Sequence, residues 1–332
     1  MVVTAYNRRE FVVDAIKSVL NQKIDRSYYE IILIKNFIDD SIDAFCSKNG
    51  IKVIIMEGSI GEFYRKGVEE SKGEVISFLD DDDIFVPDKI SEVIHVFRNI
   101  PTVGLHYNRS IMCDHKQFDS KLSEIQMKNA HVSDEVHTIK KDGLSFLIKN
   151  GLEGNNSSMS IRRNIILSQL QKLSNIYVNE DFFIYSLAPI FGFDILISPR
   201  ILTIRGMGNY NTTNIKYNTG NCFCTRAVKR TELLINTFSI LKAMVEESRI
   251  DKDNGEIFFV IQARFNRIRM MNNVIHSEIT RLDHLFATIR TGFKVLGIKY
   301  IIGTTYVFVV EIIRKTKVIS KCQAIKLIKF SL

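Results

Sequence analysis

The sequence predicts an α/β protein, a mostly parallel twisted sheet flanked by helices, followed by a helical C-terminal region. Three observations carry this expectation. Strand-length and helix-length apolar patterns alternate through the first 100 residues. Four consecutive carboxylates, Asp80, Asp81, Asp82 and Asp83, directly follow one of the strand-like runs. From about Asn221 onward helical periodicity dominates, which places a soft boundary near residue 216 and two regions at 1–215 and 216–332. A chain of 332 residues with 45% apolar and 25% charged residues can bury a sizeable core.

Each element has its own warrant. Val2-Val3 opens a short strand, and a helix over about 10–22 follows, with Val13, Ile16 and Leu20 at i, i+3 and i+7. Glu30-Ile-Ile-Leu-Ile34 and Lys52-Val-Ile-Ile-Met56 are β-branched runs of strand length, joined by a short link. A helix over 61–71 ends at Lys72-Gly73, a basic last turn with a glycine stop. Glu74-Val-Ile-Ser-Phe-Leu79 is the next strand. Pro87 then opens a helix whose buried face holds Ile90, Val93, Ile94 and Phe97. Residues 101–215 are less regular, with a strand-like Asp194-Ile-Leu-Ile-Ser198, and helices are expected over 224–247 and 256–277.

The acidic run therefore lies in a loop at the carboxyl end of a buried strand, where open α/β sheets collect ligands. A solvated acidic loop would read the same way; the chemical reading is a cation site. Mg²⁺ takes one or two carboxylates together with substrate phosphates rather than an all-protein cage. On an extended chain Asp80 and Asp82 point to one side and Asp81 and Asp83 to the other.

Thr4-Ala-Tyr-Asn-Arg8 after a first strand, a glycine near 61, Lys72-Gly-Glu74 and Phe78-Leu-Asp-Asp-Asp-Asp83, in this order, resemble the family 2 glycosyltransferases over roughly residues 1–215. The resemblance implies the GT-A fold, a sugar nucleotide donor (UDP- or GDP-sugar) and Mg²⁺ or Mn²⁺. It puts Thr4, Tyr6 and Asn7 at the nucleoside. Asp80 and Asp82 match the family's Asp-x-Asp pair, with Asp82 the direct metal ligand and Asp80 or Asp81 nearer the ribose. Where the family carries Asp-Asp-x-Ser, this chain has Lys35-Asn-Phe-Ile-Asp-Asp-Ser41; the base-contacting carboxylate is replaced by Asn36 or displaced to Asp39. Asn179-Glu-Asp-Phe-Phe183 is similar to the family's Glu-Asp motif, in which the second carboxylate is the base.

Chemistry asks for that second group. An inverting transfer needs a proton acceptor on the face opposite the departing phosphate, so the metal-bound aspartates cannot serve. Glu180 and Asp181 lie far along the chain, and flanking aromatics raise a carboxylate's pKa if they desolvate it. Acids at a helix N-terminus are also placed there by the macrodipole alone. Arg205 of Arg205-Gly-Met-Gly-Asn209 and Arg65 of the 61–71 helix are candidates for the diphosphate, and Gly151-Leu-Glu-Gly-Asn-Asn-Ser-Ser158 resembles the family's acceptor-side loop.

Charge and composition bound the rest. The net charge of +8 resides in 287–332, where nine Lys and Arg face only Glu311, and the remainder is formally neutral. The chain thus lacks the basic face of a nucleic-acid binder. Five scattered cysteines read as reduced thiols in a cytoplasmic setting, and Met1-Val-Val-Thr-Ala-Tyr-Asn7 has no secretory signature. The apolar run Tyr300-Ile-Ile-Gly-Thr-Thr-Tyr-Val-Phe-Val-Val-Glu-Ile-Ile313, followed by basic residues, is short for a membrane span. It suits either peripheral contact with an anionic membrane face or a helix packed on the catalytic domain, and the former favours a lipid-linked or other glycan acceptor. The expected function is a metal-dependent inverting glycosyltransferase with Asp181 as base. A nucleotidyltransferase would need a glycine-rich loop that Thr4-Ala-Tyr-Asn-Arg-Arg9 lacks; a non-catalytic sugar-nucleotide-binding protein would bind donor without turnover.

Overall fold

Short β-branched runs build the centre of the sheet. In the computed structural model, which describes residues 1–132, 137–143, 154–207, 220–248, 256–276, 280, 282–296, 298–315 and 321–328, nine strands form one sheet. They are β1 (Val2–Ala5), β2 (Ile32–Lys35), β3 (Lys52–Ile55), β4 (Val75–Asp80), β5 (Ile84–Phe85), β6 (Val103–Cys113), β7 (His137–Thr138), β8 (Met159–Arg162) and β9 (Asp194–Gly206). The order is β3-β2-β1-β4-β8-β6-β9-β5, with β7 on β9. The β3-β2-β1-β4 half is parallel. Beyond it, β8 runs antiparallel to both β4 and β6, so the sheet as a whole is mixed. The register aligns Thr4 with Ile34 on one side and Asp80 on the other, at the carboxyl edge of the parallel half.

Helices cover this half. In α1 (Val12–Leu20) the fully buried residues are Val12, Ala15, Ile16 and Val19, while Val13 and Leu20 pack only partly. The buried stripe is thus turned from the expected Val13–Ile16–Leu20 line, toward the core formed by Val3, Leu33 and Leu79. The link between β2 and β3 is not a bare connection: it contains α2 (Asp40–Lys48). Asp39 Oδ1 caps this helix, accepting from the Ser41 and Ile42 amides at 3.1 Å each, and Ile42 and Cys46 are buried one turn apart. The i, i+4 pair of Ile42 and Cys46 is the signal the short-link reading missed.

In α3 (Ile60–Glu70) a capping box pairs Ser59 with Glu62. Gly61 lies so close to the chain beyond it that a Cβ would come within 2.1 Å of the Leu173 carbonyl oxygen. α4 (Lys89–Asn99) buries Ile90, Val93, Val96 and Phe97. α5 (Phe118–Asn129), α6 (Ile139–Asp142), α7 (Arg163–Leu167), α8 (Leu170–Leu173) and α9 (Glu180–Ile190) complete this part. Cys46 and Cys113 are buried free thiols.

The chain divides into two compact units, Met1–Asp142 with Leu152–Ile215, and Gly143–Gly151 with Lys216–Leu332. The second unit is helical among its described residues: α10 (Gly220–Glu247), α11 (Glu256–His276), α12 (Leu282–Leu296), α13 (Ile298–Lys315) and α14 (Lys321–Ile328). Met270, Met271, Val274, Leu285, Val307, Val310, Ala324 and Ile328 form its core. Glu311 is fully buried there, accepting from the Thr280 amide at 3.0 Å and its hydroxyl at 2.8 Å. Ile302, Tyr306, Val309 and Ile312 of the same helix are exposed. No helix among the described residues is long and apolar enough to cross a membrane.

Candidate active site

The 80–83 run leaves the sheet at the end of β4, and its four carboxylates meet three partners, two of them sharing one. Asp80 Oδ1 accepts from the buried Tyr64 hydroxyl at 3.1 Å, and its amide donates to Ser157 Oγ at 3.0 Å. Asp81 and Asp82 are buried and share the Arg8 guanidinium. Nε donates to Asp81 Oδ1 at 3.0 Å, Nη2 to the same oxygen, and Nη1 to Asp82 Oδ2 at 2.7 Å. Asp81 Oδ2 is buried with no hydrogen-bond partner. Asp83, also buried, accepts from the Gly206 amide at 3.0 Å. The His115 ring, stacked on Phe11 at 3.6 Å, donates from Nε2 to the Asp82 carbonyl at 3.1 Å.

Burial, ahead of mutual repulsion, sets the protonation of this group. Burial, then the Asp82 charge, push Asp80 up to about 6. Burial lifts Asp81 to about 7 against the pull of Arg8. Asp83 stands well above the usual carboxylate range, again from burial first.

The second acidic pair is held next to the first. Asn179 has φ of 62°, a left-handed turn that starts α9 and brings Glu180 and Asp181 into its first turn. Glu180 Oε1 accepts from Asn156 Nδ2 at 3.3 Å. The short turn of Asn156, Ser157 and Ser158 thereby touches both acidic segments, Ser157 on Asp80 and Asn156 on Glu180. Burial, then the Asp181 charge and more weakly that of Asp80, push Glu180 up to about 8. Asp181 in turn contributes to the rise of Asp80. A Cβ on Gly154 would stand 2.5 Å from the Asp181 carboxyl, so only glycine lets this turn pass so close. The residues 151–153 of this segment lie outside the described residues.

Lys89 supports the turn from below. It is fully buried and donates to Asn108 Oδ1 at 2.7 Å, the Ser157 carbonyl at 2.6 Å and Thr203 Oγ1 at 3.2 Å. Burial pushes its amine well below the usual lysine range.

The other sequence candidates scatter around this centre. Thr4 is buried level with Asp80. Tyr6 is exposed, its ring 5.8 Å from that of Phe63. Asn7 and Asn36 exchange two hydrogen bonds of 2.8 Å, backbone amide to Oδ1 and Nδ2 to Oδ1. Asp39 is engaged as the α2 cap. Lys35, which opens the Lys35-Asn-Phe-Ile-Asp-Asp-Ser41 stretch, lies buried with its amine 2.6 Å from Asp43 Oδ1, an ion pair rather than an aligned hydrogen bond. Arg65 faces Glu69 on its own helix at 3.5 Å. Arg205 is half-buried on β9 next to Gly206, while 208–209 lie outside the described residues. Tyr64, Lys89 and His115 are site residues that the sequence reading did not single out. Arg8 ends the Thr4-Ala-Tyr-Asn-Arg8 motif, and Asn156 and Ser157 lie in the 151–158 segment, all without an individual role assigned.

The donor set suits a hard divalent cation. It is all oxygen, it carries an orphaned buried carboxylate oxygen, and it is too crowded to hold its full negative charge unaided. Among the described residues no three His, Cys, Asp or Glu side chains already stand in metal-holding geometry. Two carboxylates completed by substrate phosphates need no such cage.

This chain belongs to glycosyl transferase family 2, whose model matches residues 1–169, more than half of its length. It is 30% identical over 120 residues to an uncharacterised glycosyltransferase of Nostoc, covering 34% of this chain and 36% of that one. An uncharacterised glycosyltransferase of Haemophilus influenzae is 30% identical over 111 residues, covering 32% and 37%. The match thus spans about a third of these relatives' own length. Among solved structures, S. aureus TarS 1–349 in complex with UDP-GlcNAc superposes with a TM-score of 0.59 at 11% identity, covering 99% of this chain and 90% of that one. The shared fold is the GT-A arrangement.

Proposed function

We propose that this protein is a metal-dependent, inverting glycosyltransferase that moves a sugar from a UDP- or GDP-sugar to an acceptor hydroxyl on a glycan or lipid-linked saccharide. Family membership supports glycosyl transfer. The observation that carries the finer reading is the meeting of two acidic segments, 80–82 and 180–181, over one turn that touches both. One segment suits the leaving group and the other suits the nucleophile.

In this reading Thr4, Tyr6 and Asn7 hold the nucleoside, with Asn36 or Asp39 facing the base. Asp80 and Asp81 approach the ribose, and Arg65 and Arg205 approach the diphosphate. Asp82, with Asp80, holds Mg²⁺ or Mn²⁺, which supplies charge neutralisation at the departing phosphate. Asp181 takes the proton of the acceptor hydroxyl. Glu180 beside it, with its raised pKa, stays protonated at neutral pH and spares Asp181 a second adjacent charge. Residues 1–215 would be the catalytic region and 216–332 a helical partner region. The exposed stripe of Ile302, Tyr306, Val309 and Ile312 in a basic segment supports peripheral contact with the inner face of a membrane from the cytoplasm.

Thermal-shift screening against nucleotide sugars with Mn²⁺ tests this reading. One UDP- or GDP-sugar should raise the melting temperature in a metal-dependent way, and Asp82→Ala should abolish that shift. A shift that survives Asp82→Ala removes the metal assignment.

A further inference from the structure

Arg8 is the unexpected member of the site, and its aim is built into the backbone. Asn7, directly before it, has φ of 55°, a conformation that costs a non-glycine residue energy and needs outside support. Asn36 gives that support by accepting from the Asn7 amide and donating to its side chain. The turn so fixed directs the guanidinium across two carboxylates at once, Asp81 Oδ1 and Asp82 Oδ2. Both aspartates are buried, with 3% and 8% of their surface exposed, so neither gets much help from water.

One guanidinium does not balance the group. Asp80, Asp81 and Asp82 all act on Arg8, and Asp81 Oδ2 is left buried with no donor. The cluster keeps a deficit of positive charge that a cation would fill. A divalent ion at Asp82 would, however, meet Arg8 on the same carboxylate, and two cations so close repel. Resting on the metal reading above, we infer that Arg8 is a displaceable counter-ion: it holds Asp81 and Asp82 in place in the donor-free protein and gives up Asp82 when the metal ion binds. The arginine then remains on Asp81, within reach of the donor's phosphates, and the buried cluster is never left without a cation.

The experiment is a Mn²⁺ titration of the donor-free full chain, followed by water-proton relaxation and calorimetry, for wild type, Arg8→Met and Arg8→Lys. Near-UV circular dichroism reports whether each variant is folded. Arg8→Met removes the competitor, so Mn²⁺ should bind about tenfold tighter, the equivalent of one charge-assisted hydrogen bond. Arg8→Lys keeps the charge but loses the fork, so the gain should be smaller, about threefold. It decides the matter if the methionine variant does not fold. Mn²⁺ binding of equal or lower affinity in the folded variants overturns the counter-ion role and leaves the metal site standing. Absence of Mn²⁺ binding in all three proteins, both alone and with UDP or GDP added to supply the phosphates, overturns the metal reading, and the inference falls with it.

Discussion

Glu180 carries a pH signature that can be read on the intact protein. Its carboxyl is ionised above about 4.5 in the unfolded chain but only above about 8 in the folded one. Between those values the folded state holds a proton that the unfolded state has lost, so stability is full below the unfolded pKa and declines as pH rises through the folded one. Asp80 and Asp81, raised to about 6 and 7, act in the same direction. The metal-free protein should therefore lose melting temperature from pH 5 to pH 8. Glu180→Gln should flatten the upper part of that decline, as followed by differential scanning calorimetry; an unchanged slope would show that Glu180 is not the strained carboxyl. The acidic segments were legible in the sequence because carboxylates next to apolar runs are conspicuous. Arg8 was not, because its role depends on the left-handed backbone at Asn7, and the dipeptide Asn-Arg does not announce that.

At the scale of elements, α4 is tied to the site through one buried side chain. Lys89 reaches from this helix to β6 through Asn108, to β9 through Thr203 and to the 156–158 turn through the Ser157 carbonyl. Lys89→Met would keep the bulk but leave Asn108 Oδ1 without its donor. Thr203 Oγ1 still donates to the Ser157 carbonyl and Asn108 Nδ2 still donates to Thr203 Oγ1, so the protein should be destabilised by roughly 1–3 kcal/mol. Urea denaturation measures this, and a loss below the error of the method would mean that Asn108 Oδ1 finds another donor. The parallel strands and the helices between them were legible from periodicity. The helix α2 was hidden by its own motif: Asp39, Asp40 and Ser41 resemble a ligand-binding signature, and the same residues cap and start the helix. The antiparallel placement of β8 was also out of reach, since its four residues carry no sign of which neighbours they join. Strand partners of that kind follow from long-range packing, and local pattern does not encode it.

Across the whole molecule, charge and apolar surface are unevenly shared between the two compact units. The apolar run at 300–313 turned out to be a helix with two faces. Glu311, which interrupts it in sequence, is the inward group, held by Thr280, while Ile302, Tyr306, Val309 and Ile312 are exposed. Flotation with phosphatidylglycerol vesicles should carry the protein upward at low salt, and the double variant Ile302→Glu, Val309→Glu should remain at the bottom. Equal flotation of both would exclude this face as the contact. The catalytic proposal needs its two acidic segments to do different jobs in one reaction, and Asp181→Asn separates them most directly. With the donor identified by screening and Mn²⁺ present, this variant should bind donor within about twofold of wild type by calorimetry. Its sugar transfer should fall by about 10²–10⁴-fold, the usual contribution of a general base. Transfer within tenfold of wild type, with donor binding intact, would contradict the assignment of Asp181 as the group that accepts the proton.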